Sequence, residues 1–255
     1  MRLVVKVGTS TLTHSNGKLN IRHVEQLCKV IADLKNAGNE VVLVSSGAIG
    51  MGVSKLGLNC RPSDMPTKQA AAAVGQCELM YVYDKLFGEY NHTVAQILIT
   101  GDDVENDKRR AHLEDTFFRL LELGTIPVIN ENDTVSTDEI VSVGDNDTLA
   151  AIVSVIVKAD LLVLLSDIDG LYTADPRVDG TAQLIPVVEK IDDKIVALAG
   201  GAGSSLGTGG MATKIGAAKR CTEEGIDMII ANGAHPELLY GAVEGASVGT
   251  RFLGK

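Results

Sequence analysis

Residues 3–50 read LVVKVGTSTLTHSNGKLNIRHVEQLCKVIADLKNAGNEVVLVSSGAIG, and this stretch decides the fold. Two short runs rich in valine and leucine, LVVKV at 3–7 and EVVLVS at 40–45, predict strands buried on both faces. The segment between them, from 21 to 37, has helical periodicity. A strand, a helix and a second strand in this order predict two parallel strands joined by a crossover helix.

Strand-like and helix-like segments alternate along the rest of the chain. Four further apolar runs predict buried strands, at 93–99, 125–130, 160–166 and 226–231. Helical patterns occur at about 67–90, 107–123, 146–158 and 211–224. The alternation predicts an α/β protein, a three-layer αβα sandwich with a mainly parallel central sheet. We expect one domain over residues 1–255, with ligands at the carboxyl ends of the strands.

Two segments depart from this alternation. VSTDEIVSVGD at 135–145 alternates apolar and polar residues, which predicts a solvent-facing β-hairpin. TADPRVDG at 173–180 has the proline, glycine and aspartate content of a turn, and we expect it to join short edge strands.

The composition argues against several classes of function. A net charge of −10 disfavours binding to nucleic acid or to an anionic membrane, because both need a basic surface. The four cysteines are scattered without a CxxC pair, which indicates neither a zinc site nor a disulfide framework. No apolar run approaches the ~20 residues of a membrane span, and the N-terminus does not resemble a signal peptide. We therefore expect a cytoplasmic protein.

Glycine-rich turns with a lysine mark two candidate phosphate sites. GTGGMATK at 207–214 opens a predicted helix, whose first turn carries unpaired N–H groups and a positive dipole end. It is not a P-loop, because Thr213 stands where GxxxxGK[ST] requires glycine. After the first strand, Lys6 precedes Gly8, and a lysine at the end of a central strand is costly to bury without an anion. Both motifs favour a nucleotide phosphate.

Polar clusters follow the second and fourth predicted strands. SSGAIG at 45–50 supplies a helix cap and an anion-binding turn, and Val44 excludes the GxSxG elbow of serine hydrolases. NEND at 130–133 and GDND at 144–147 frame the predicted hairpin with carboxylates and carboxamides. The second cluster could simply cap the following helix. Together, the two favour recognition of a ligand ammonium and organisation of Mg2+ or of catalytic lysines.

Six motifs between residues 4 and 214 together resemble the amino-acid kinase superfamily. They are KVGTS, VSSGAIG, INENDTV, VGDNDTLAA, LLSDIDGLYTADPR and GTGGMATK. Within the superfamily they are similar to the glutamate 5-kinase family. The resemblance implies the amino-acid kinase fold and transfer of a phosphoryl group from ATP, with Mg2+, to the side-chain carboxylate of L-glutamate. The product would be L-glutamyl 5-phosphate, in the first step of proline biosynthesis.

The resemblance also implies roles for individual residues. Lys6 and Lys214 would flank the transferred phosphoryl group, and Asp147 would hold both lysines by ion pairing. The residues implied for glutamate are Ser46, Asp133 and Asn146. Among these, Asp133 would bind the ammonium group of glutamate. The residues implied for ATP are Lys6, Gly8, Ser166, Asp167, Thr208, Gly209, Gly210, Met211, Ala212, Thr213 and Lys214. No residue is assigned to the metal.

Two other functions are compatible with the same motifs. A kinase of this fold could act on another acid or phosphate, such as carbamate, aspartate or UMP. A non-catalytic protein could use the same pocket to sense an amino acid. The two lysines and Asp147 count against a sensor, because binding an amino acid alone needs no cations for phosphate.

The resemblance implies partners and a division of the chain. Proline is expected as a feedback inhibitor, since it shares the α-carboxylate and amino nitrogen of glutamate. A small homo-oligomer is expected to form through the helix at 67–90 and its neighbours. The N-terminal part of the domain is expected to bind glutamate, and the C-terminal part ATP. Most bacterial members of the family continue into a PUA domain, whereas this chain is expected to have none.

Overall fold

The computed structural model describes residues 1–14, 17–135, 145–199 and 210–255. Its strands are β1 (Arg2–Val7), β2 (Glu40–Ser45), β3 (Val94–Ile99), β4 (Ile126–Glu131), β5 (Leu161–Ser166), β6 (Val187–Val188), β7 (Asp227–Asn232) and β8 (Thr250–Phe252). Within these ranges they form an eight-stranded sheet of order β3-β4-β2-β1-β5-β7-β8-β6. The pairing is parallel throughout except between β7 and β8, so the prediction of a mainly parallel sheet is confirmed.

Ten helices are present in the described part of the chain. They are α1 (Thr9–Leu12), α2 (Ile21–Asn36), α3 (Ala48–Lys55), α4 (Met65–Gly88), α5 (Gly101–Glu105), α6 (Asp107–Glu122), α7 (Asn146–Ile156), α8 (Asp193–Ala199), α9 (Met211–Glu223) and α10 (Leu238–Glu244). The helices α1, α5 and α8 were not expected, because elements of four to seven residues carry too little periodicity to recognise. None of the helices in these ranges is long and apolar enough to cross a membrane.

Successive side chains of the central strands point to opposite helix layers, as the geometry of a strand requires. On one face, Val4 of β1 and Val44 of β2 belong to an apolar cluster that includes residues of α6, α7 and α9. On the other face, Val5 and Leu43 belong to a second cluster that includes residues of α2, α4 and α10. The three-layer αβα sandwich is therefore confirmed, with one core on each side of the sheet.

Two elements differ from their prediction, α4 in where it begins and β3 in its burial. Helix α4 begins at Met65, because Asp64 accepts a hydrogen bond from the Thr67 N–H and a proline occupies the first turn. Strand β3 lies at an edge of the sheet, and its residue Gln96 is exposed. The expectation that every strand is buried on both faces is therefore wrong for β3.

The two segments that interrupt the predicted alternation have different outcomes. Residues 136–144 of the predicted hairpin lie outside the described residues. The turn predicted at 173–180 lies between Tyr172 and Leu184, which form an isolated antiparallel bridge. The strand that follows this bridge, β6, is only two residues long.

Helices α3 and α4 approach each other at two glycines. A Cβ atom at Gly52 would lie 1.8 Å from the carbonyl oxygen of Ala71, and one at Gly75 would lie 1.7 Å from that of Ala48. No side chain fits at either position, so the helices touch backbone to backbone. Because α3 begins just after β2, this contact also fixes the intervening turn at Ser46 against α4.

Strand β8 lies between β7 and β6 rather than at the edge of the sheet. The hydroxyl of Thr250 accepts a hydrogen bond from the Leu171 N–H at 2.8 Å and donates one to the Ile185 carbonyl at 2.6 Å. A Cβ atom at Gly170 would lie 2.5 Å from this hydroxyl oxygen. Strand β8 therefore supports the chain segment from 170 to 185 that follows β5.

Candidate active site

A cleft opens at the carboxyl ends of β4, β2, β1 and β5, which are parallel neighbours in the sheet. Its volume of about 2700 Å³ exceeds the ~300–1,000 Å³ of a typical small-molecule pocket, so it can hold two substrates together. The predicted site residues that line it are Lys6, Gly8, Ser46, Asp133, Asn146, Asp147, Ser166, Asp167, Gly210, Met211, Ala212 and Lys214. This edge of a parallel sheet is where ligands bind in α/β proteins.

Lys6, Asp147 and Lys214 meet in this cleft. Nζ of Lys6 lies 2.7 Å from Oδ1 of Asp147, and Nζ of Lys214 lies 2.9 Å from Oδ2 of the same carboxylate. The three residues come from β1, the first turn of α7 and the first turn of α9. Lys6 shares the face of β1 with Val4, whose cluster contains α7 and α9. The alternation of the strand thus directs Lys6 toward the two helices.

Among the described side chains, one carboxylate pairs with two ammonium groups, so Lys6, Asp147 and Lys214 together carry a positive charge. The side chain of Asp147 is 1% exposed, and those of Lys6 and Lys214 are 11% and 7% exposed. Burial would raise the pKa of Asp147, but the attraction of the two lysines outweighs burial and lowers that pKa. The carboxylate therefore stays ionised. An excess positive charge with so little surrounding water favours an anionic ligand.

Thr213 does not line the cleft, although the sequence grouped it with the ATP-binding residues. Its hydroxyl donates to the Gly210 carbonyl at 2.7 Å and lies 3.2 Å from Oδ2 of Asp147. The side chain of Thr213 therefore supports Asp147 from the first turn of α9.

The ends of β5 and the start of α9 form one side of the cleft. The Ser166 hydroxyl donates to the carboxylate of Asp167 at 3.2 Å, and Asp167 is exposed. Helix α9 begins after Gly210, which provides no side-chain cap. Within the described part of the chain no side chain caps its first N–H groups, and such groups at a helix start can bind an anion. The two other residues assigned to ATP here, Thr208 and Gly209, lie outside the described residues.

A row of hydrogen-bonded side chains forms the opposite side of the cleft, at β2 and β4. Nδ2 of Asn146 lies 2.6 Å from the Ser46 hydroxyl, 3.2 Å from the Ser45 carbonyl oxygen and 3.3 Å from Oδ1 of Asn130. The nitrogen of the Asn146 amide therefore faces the protein. No hydrogen bond within the described ranges occupies Oδ1 of Asn146, so this oxygen can accept from a ligand.

Asp133 follows β4 on this same side and is half-buried. Burial and the neighbouring charge of Glu131 raise the pKa of Asp133 to about 6, against the opposing effect of Arg61. A carboxylate destabilised in this way is stabilised by a cationic ligand. Asp133 and Oδ1 of Asn146 therefore give this side of the cleft two acceptors suited to an ammonium group.

The described residues contain no group of three or more His, Cys, Asp or Glu side chains that could hold a metal ion. Asp147, the most buried carboxylate of the cleft, is already paired with two lysines. Mg2+ in kinases keeps several waters and is held largely through substrate phosphates, with one or two carboxylates. The residues present therefore fit a metal that binds together with a nucleotide.

Sequence reasoning missed two residues of this region, Arg61 and Gln76. Arg61 is exposed, lines the cleft and acts electrostatically on Asp133. Its only signal is an arginine in the polar loop at 59–64. Gln76 is buried in α4, and its Oε1 accepts a hydrogen bond from Asn130 at 3.0 Å. A glutamine in an alanine-rich helix gives no sign of such a contact.

Two solved structures are similar to this fold. Carbamate kinase from Giardia lamblia bound to AMP-PNP superposes with a TM-score of 0.71 at 15% identity, covering 100% of this chain and 98% of that one. The isopentenyl phosphate kinase product complex from T. acidophilum gives a TM-score of 0.65 at 17% identity, covering 99% and 100%. At these identities the likeness shows the fold alone.

The sequence matches the family model "Amino acid kinase family" over residues 1–232. It is 58% identical over 250 residues to a glutamate 5-kinase of Clostridium tetani, covering 98% of this chain and 93% of that protein. For a glutamate 5-kinase of Clostridium perfringens the identity is 54% over 257 residues, covering 100% and 96%. For one of Caldanaerobacter subterraneus it is 53% over 253 residues, covering 99% and 68%. The chain therefore belongs to the amino acid kinase family and, within it, to the glutamate 5-kinases.

Proposed function

We propose that this protein transfers the terminal phosphoryl group of ATP to the side-chain carboxylate of L-glutamate, giving L-glutamyl 5-phosphate and ADP, the first step of proline biosynthesis. The observation that carries the proposal is the buried cluster of Lys6, Asp147 and Lys214, with its excess positive charge beside a row of acceptor groups. The relatives that are 53%, 54% and 58% identical, each named glutamate 5-kinase, support the choice of substrate.

This reaction needs no general base. The side-chain carboxylate of glutamate titrates near pH ~4.3 and is already an anion at neutral pH. The barrier arises from bringing that anion onto a negatively charged triphosphate, so catalysis rests on positioning and charge stabilisation. Lys6 and Lys214 would flank the transferred phosphoryl group, with Asp147 holding their Nζ atoms in place. The N–H of Gly8, beside Lys6, would contact the same phosphate.

The nucleotide would bind on the side of the cleft formed by β5 and α9. Ser166 and Asp167 supply a hydroxyl and a carboxylate there, and residues 210–214 supply the N–H groups of a helix start. Thr208 and Gly209 belong to the same glycine-rich motif. Bound Mg2+ would reduce the negative charge of the phosphates, and Asp167 would share in holding it.

Glutamate would bind on the side formed by β2 and β4. Asp133 and Oδ1 of Asn146 would accept from its ammonium group, with Ser46 holding the Asn146 amide. Its α-carboxylate, carried by the same carbon atom, would meet Arg61. The N-terminal part of a single domain, residues 1–255, would thus bind the acceptor and the C-terminal part the nucleotide.

Hydroxylamine trapping of the acyl phosphate, run beside ADP release, tests this function. We expect glutamate-dependent formation of the hydroxamate together with ADP. ADP release with aspartate, carbamate or UMP in place of glutamate would assign the protein to another acceptor. Binding of glutamate without ADP release would identify an amino-acid sensor instead.

Proline inhibition and self-association belong to the same proposal. Proline would compete with glutamate for Asp133 and Arg61, so it should raise the glutamate concentration needed for half-maximal rate. Helix α4 would join two copies of the chain, since Tyr81 on this helix is 63% exposed. Rates at low glutamate with saturating proline, and light scattering of the purified protein, measure these two properties.

The cysteines support a cytoplasmic location within this proposal. All four, Cys28, Cys60, Cys77 and Cys221, are free. Free thiols persist in a reducing compartment. Fractionation of cells expressing the protein at its natural level tests the location.

A further inference from the structure

We propose that Gln76, a buried residue of α4 outside the cleft, is a positioning residue for the substrate's ammonium group. Acting through Asn130, it helps to hold the Asn146 amide in the orientation that leaves Oδ1 facing the cleft. The inference rests on the proposed function, because it places an amino-acid acceptor beside Asn146. It adds to that function a determinant of specificity that has no contact with the substrate.

Two backbone groups fix the direction of this chain of amides. The Ser45 carbonyl can only accept, so the Asn146 atom that lies 3.2 Å from it is Nδ2. The Glu131 N–H can only donate, so the Asn130 atom 3.0 Å from it is Oδ1. With the orientations of both amides fixed, Nδ2 of Asn130 donates a hydrogen bond to Oε1 of Gln76 at 3.0 Å.

Gln76 contributes to this chain as an acceptor only. Its Nε2 atom is buried and has no hydrogen-bond partner among the described residues. The residues Gln76 and Asn130 are only 7% and 3% exposed, so water cannot readily replace a missing partner. A buried glutamine with one unmatched end is destabilising on its own, which points to a role for the end that is matched.

Loss of the acceptor at position 76 would release the Asn130 amide. Its Nδ2 would be left buried without a partner, unless the amide turned over. A turned amide would present its NH2 group to Nδ2 of Asn146 and to the Glu131 N–H, donor against donor. The orientation of Asn146 is therefore coupled to Gln76 through Oδ1 of Asn130, which lies 3.3 Å from Asn146 Nδ2.

This coupling would affect substrate binding through the one Asn146 group that faces the cleft. In the observed orientation Asn146 offers Oδ1 to the cleft, which attracts an ammonium group. In the reversed orientation it would offer NH2, which repels one. Gln76 should therefore affect the affinity for ligands that carry the ammonium and not the affinity for ligands that lack it. The phosphate-binding lysines lie outside this chain, so ATP should be unaffected.

The position of Gln76 within the helix makes such control possible. The preceding residue, Gly75, packs its Cα against the carbonyl of Ala48, where a Cβ atom would lie 1.7 Å from the oxygen. Helix α4 therefore cannot move closer to α3 at this point, because the backbones are already in contact and no side chain lies between them. The backbone from which Gln76 projects is therefore held at a fixed distance from α3.

The test compares L-glutamate with glutarate, which has both carboxylates and no ammonium group, by calorimetric titration of the full chain. We expect Gln76→Met, of similar size but without an amide, to weaken glutamate binding roughly tenfold. Binding of glutarate and the KM for ATP should each stay within about twofold. Gln76→Glu keeps an acceptor oxygen and should recover most of the glutamate affinity.

The control is Ser154→Ala in α7, a buried polar residue whose hydroxyl bonds the Ala150 carbonyl of its own helix. This variant should lower the thermal midpoint of unfolding. It should not change the affinity for glutamate relative to the affinity for glutarate. Equal weakening of glutamate and glutarate by Gln76→Met, or unchanged glutamate binding, would overturn the inference. If Gln76→Met does not fold, Gln76→Asn replaces it, because the shorter side chain places its oxygen farther from Asn130. The results that support or overturn the inference are then the same as for Gln76→Met.

Titration also separates this inference from the proposed function. Binding constants are obtained whether or not the protein turns glutamate over. A wild-type chain that binds glutamate, gives no hydroxamate and still shows the Gln76-dependent difference would refute the kinase and keep the positioning role. A chain that makes the hydroxamate but lacks the difference would do the reverse.

Discussion

At the scale of single residues, Asp147 couples two lysines that the chain brings from opposite ends of the sequence. Because one charge preorganised toward a transition state contributes ~3 kcal/mol or more, Lys214→Ala should lower kcat about a hundredfold or further. Lys6→Ala should behave similarly. The double variant should be less than additive, since both lysines act on one phosphoryl group. ADP release measures kcat, and far-ultraviolet circular dichroism checks the fold.

The matched control for these variants is Lys55→Ala. Lys55 is an exposed lysine that pairs with Glu78 at 2.9 Å and does not line the cleft. Its loss should leave kcat unchanged. Wild-type turnover in Lys6→Ala or Lys214→Ala would remove that lysine from the mechanism.

Asp133 should impose a pH dependence on glutamate use. Burial and Glu131 raise its pKa to about 6, so below this pH it is increasingly protonated and loses its attraction for the ammonium. Glutamate itself keeps its charges there, because its side chain titrates near ~4.3. We expect kcat/KM for glutamate to fall about tenfold per unit below pH 6. Asp133→Asn should abolish this fall and raise the KM for glutamate far more than that for ATP.

The Asp133 carboxyl group should also make stability depend on pH, in the direction opposite to its effect on glutamate use. Its folded pKa of about 6 lies above its ordinary value of 3.8, so the folded state binds more protons between these limits. Stability contributed by this group therefore falls as pH rises through the interval. Asp133→Asn should raise the thermal midpoint at neutral pH, with the gain disappearing below pH 4. Equal rises in both KM values, or no gain in stability, would contradict the assignment.

Arg61 should be specific for ligands that carry an α-carboxylate. Its charge lies near Asp133, and the ammonium and α-carboxylate of an amino acid share one carbon atom. Arg61→Gln should weaken glutamate binding about tenfold, by loss of a charge-assisted hydrogen bond. Binding of 4-aminobutyrate, which lacks the α-carboxylate, should be unchanged in Arg61→Gln. The control variant Lys55→Gln should bind both ligands as the wild-type chain does. A parallel loss for both ligands would exclude this role.

The sequence indicated the charged residues that line the cleft better than the side chains that support them, for a physical reason. Lys6 and Lys214 stand in short motifs whose glycines and helix starts have a local meaning. Arg61 and Gln76 act through contacts with Asp133 and Asn130, which are distant in the chain. Such contacts depend on how α4 and its preceding loop pack, and no local pattern encodes that packing.

At the scale of elements, the long helices and the buried strands were predictable because their apolar residues repeat with a clear period. The helix predicted at 67–90 is observed at 65–88, displaced by its Asp64 cap. The burial of strand β3 was not predictable in this way. Its apolar run reads as fully buried, yet its place at the sheet edge is a property of strand order, which periodicity does not contain.

The backbone contact between α3 and α4 gives a prediction at this scale. Gly75→Ala would put a Cβ atom 1.7 Å from the Ala48 carbonyl oxygen, so the helices must separate. We expect a loss of ~3 kcal/mol or more in the free energy of unfolding, measured in urea. Because α3 carries the turn at Ser46, the KM for glutamate should rise too.

Gly88→Ala is the control, since it lies at the end of the same helix with nothing within 4 Å of the added carbon. Alanine there should be neutral or should stabilise by up to ~1 kcal/mol. Equal stability of the two variants would show that α3 and α4 can adjust their separation.

At the scale of the whole molecule, the sheet order explains why one cleft collects residues from most of the chain. Strand β1 is central, with β2 and β4 on one side and β5 on the other. Their carboxyl ends therefore meet, and the first turns of α7 and α9 bring Asp147 and Lys214 to Lys6. The alternation of elements predicted the layers and this edge of the sheet. Strand order and the antiparallel β8 come from tertiary packing and were not predictable.

The position of β8 has a consequence for biosynthesis. A ribosome makes the segment from 170 to 185 well before Thr250, whose hydroxyl anchors that segment at Leu171 and Ile185. The acceptor side of the cleft, built from β2, β4 and the start of α7, is synthesised long before this anchor. In a nascent chain stalled before β8 is made, the acceptor side of the cleft would thus be complete. The side formed by β5 and α9, where the nucleotide would bind, would still lack its anchor. On the proposed function, competence for ATP would therefore arise later in synthesis than the acceptor side of the cleft.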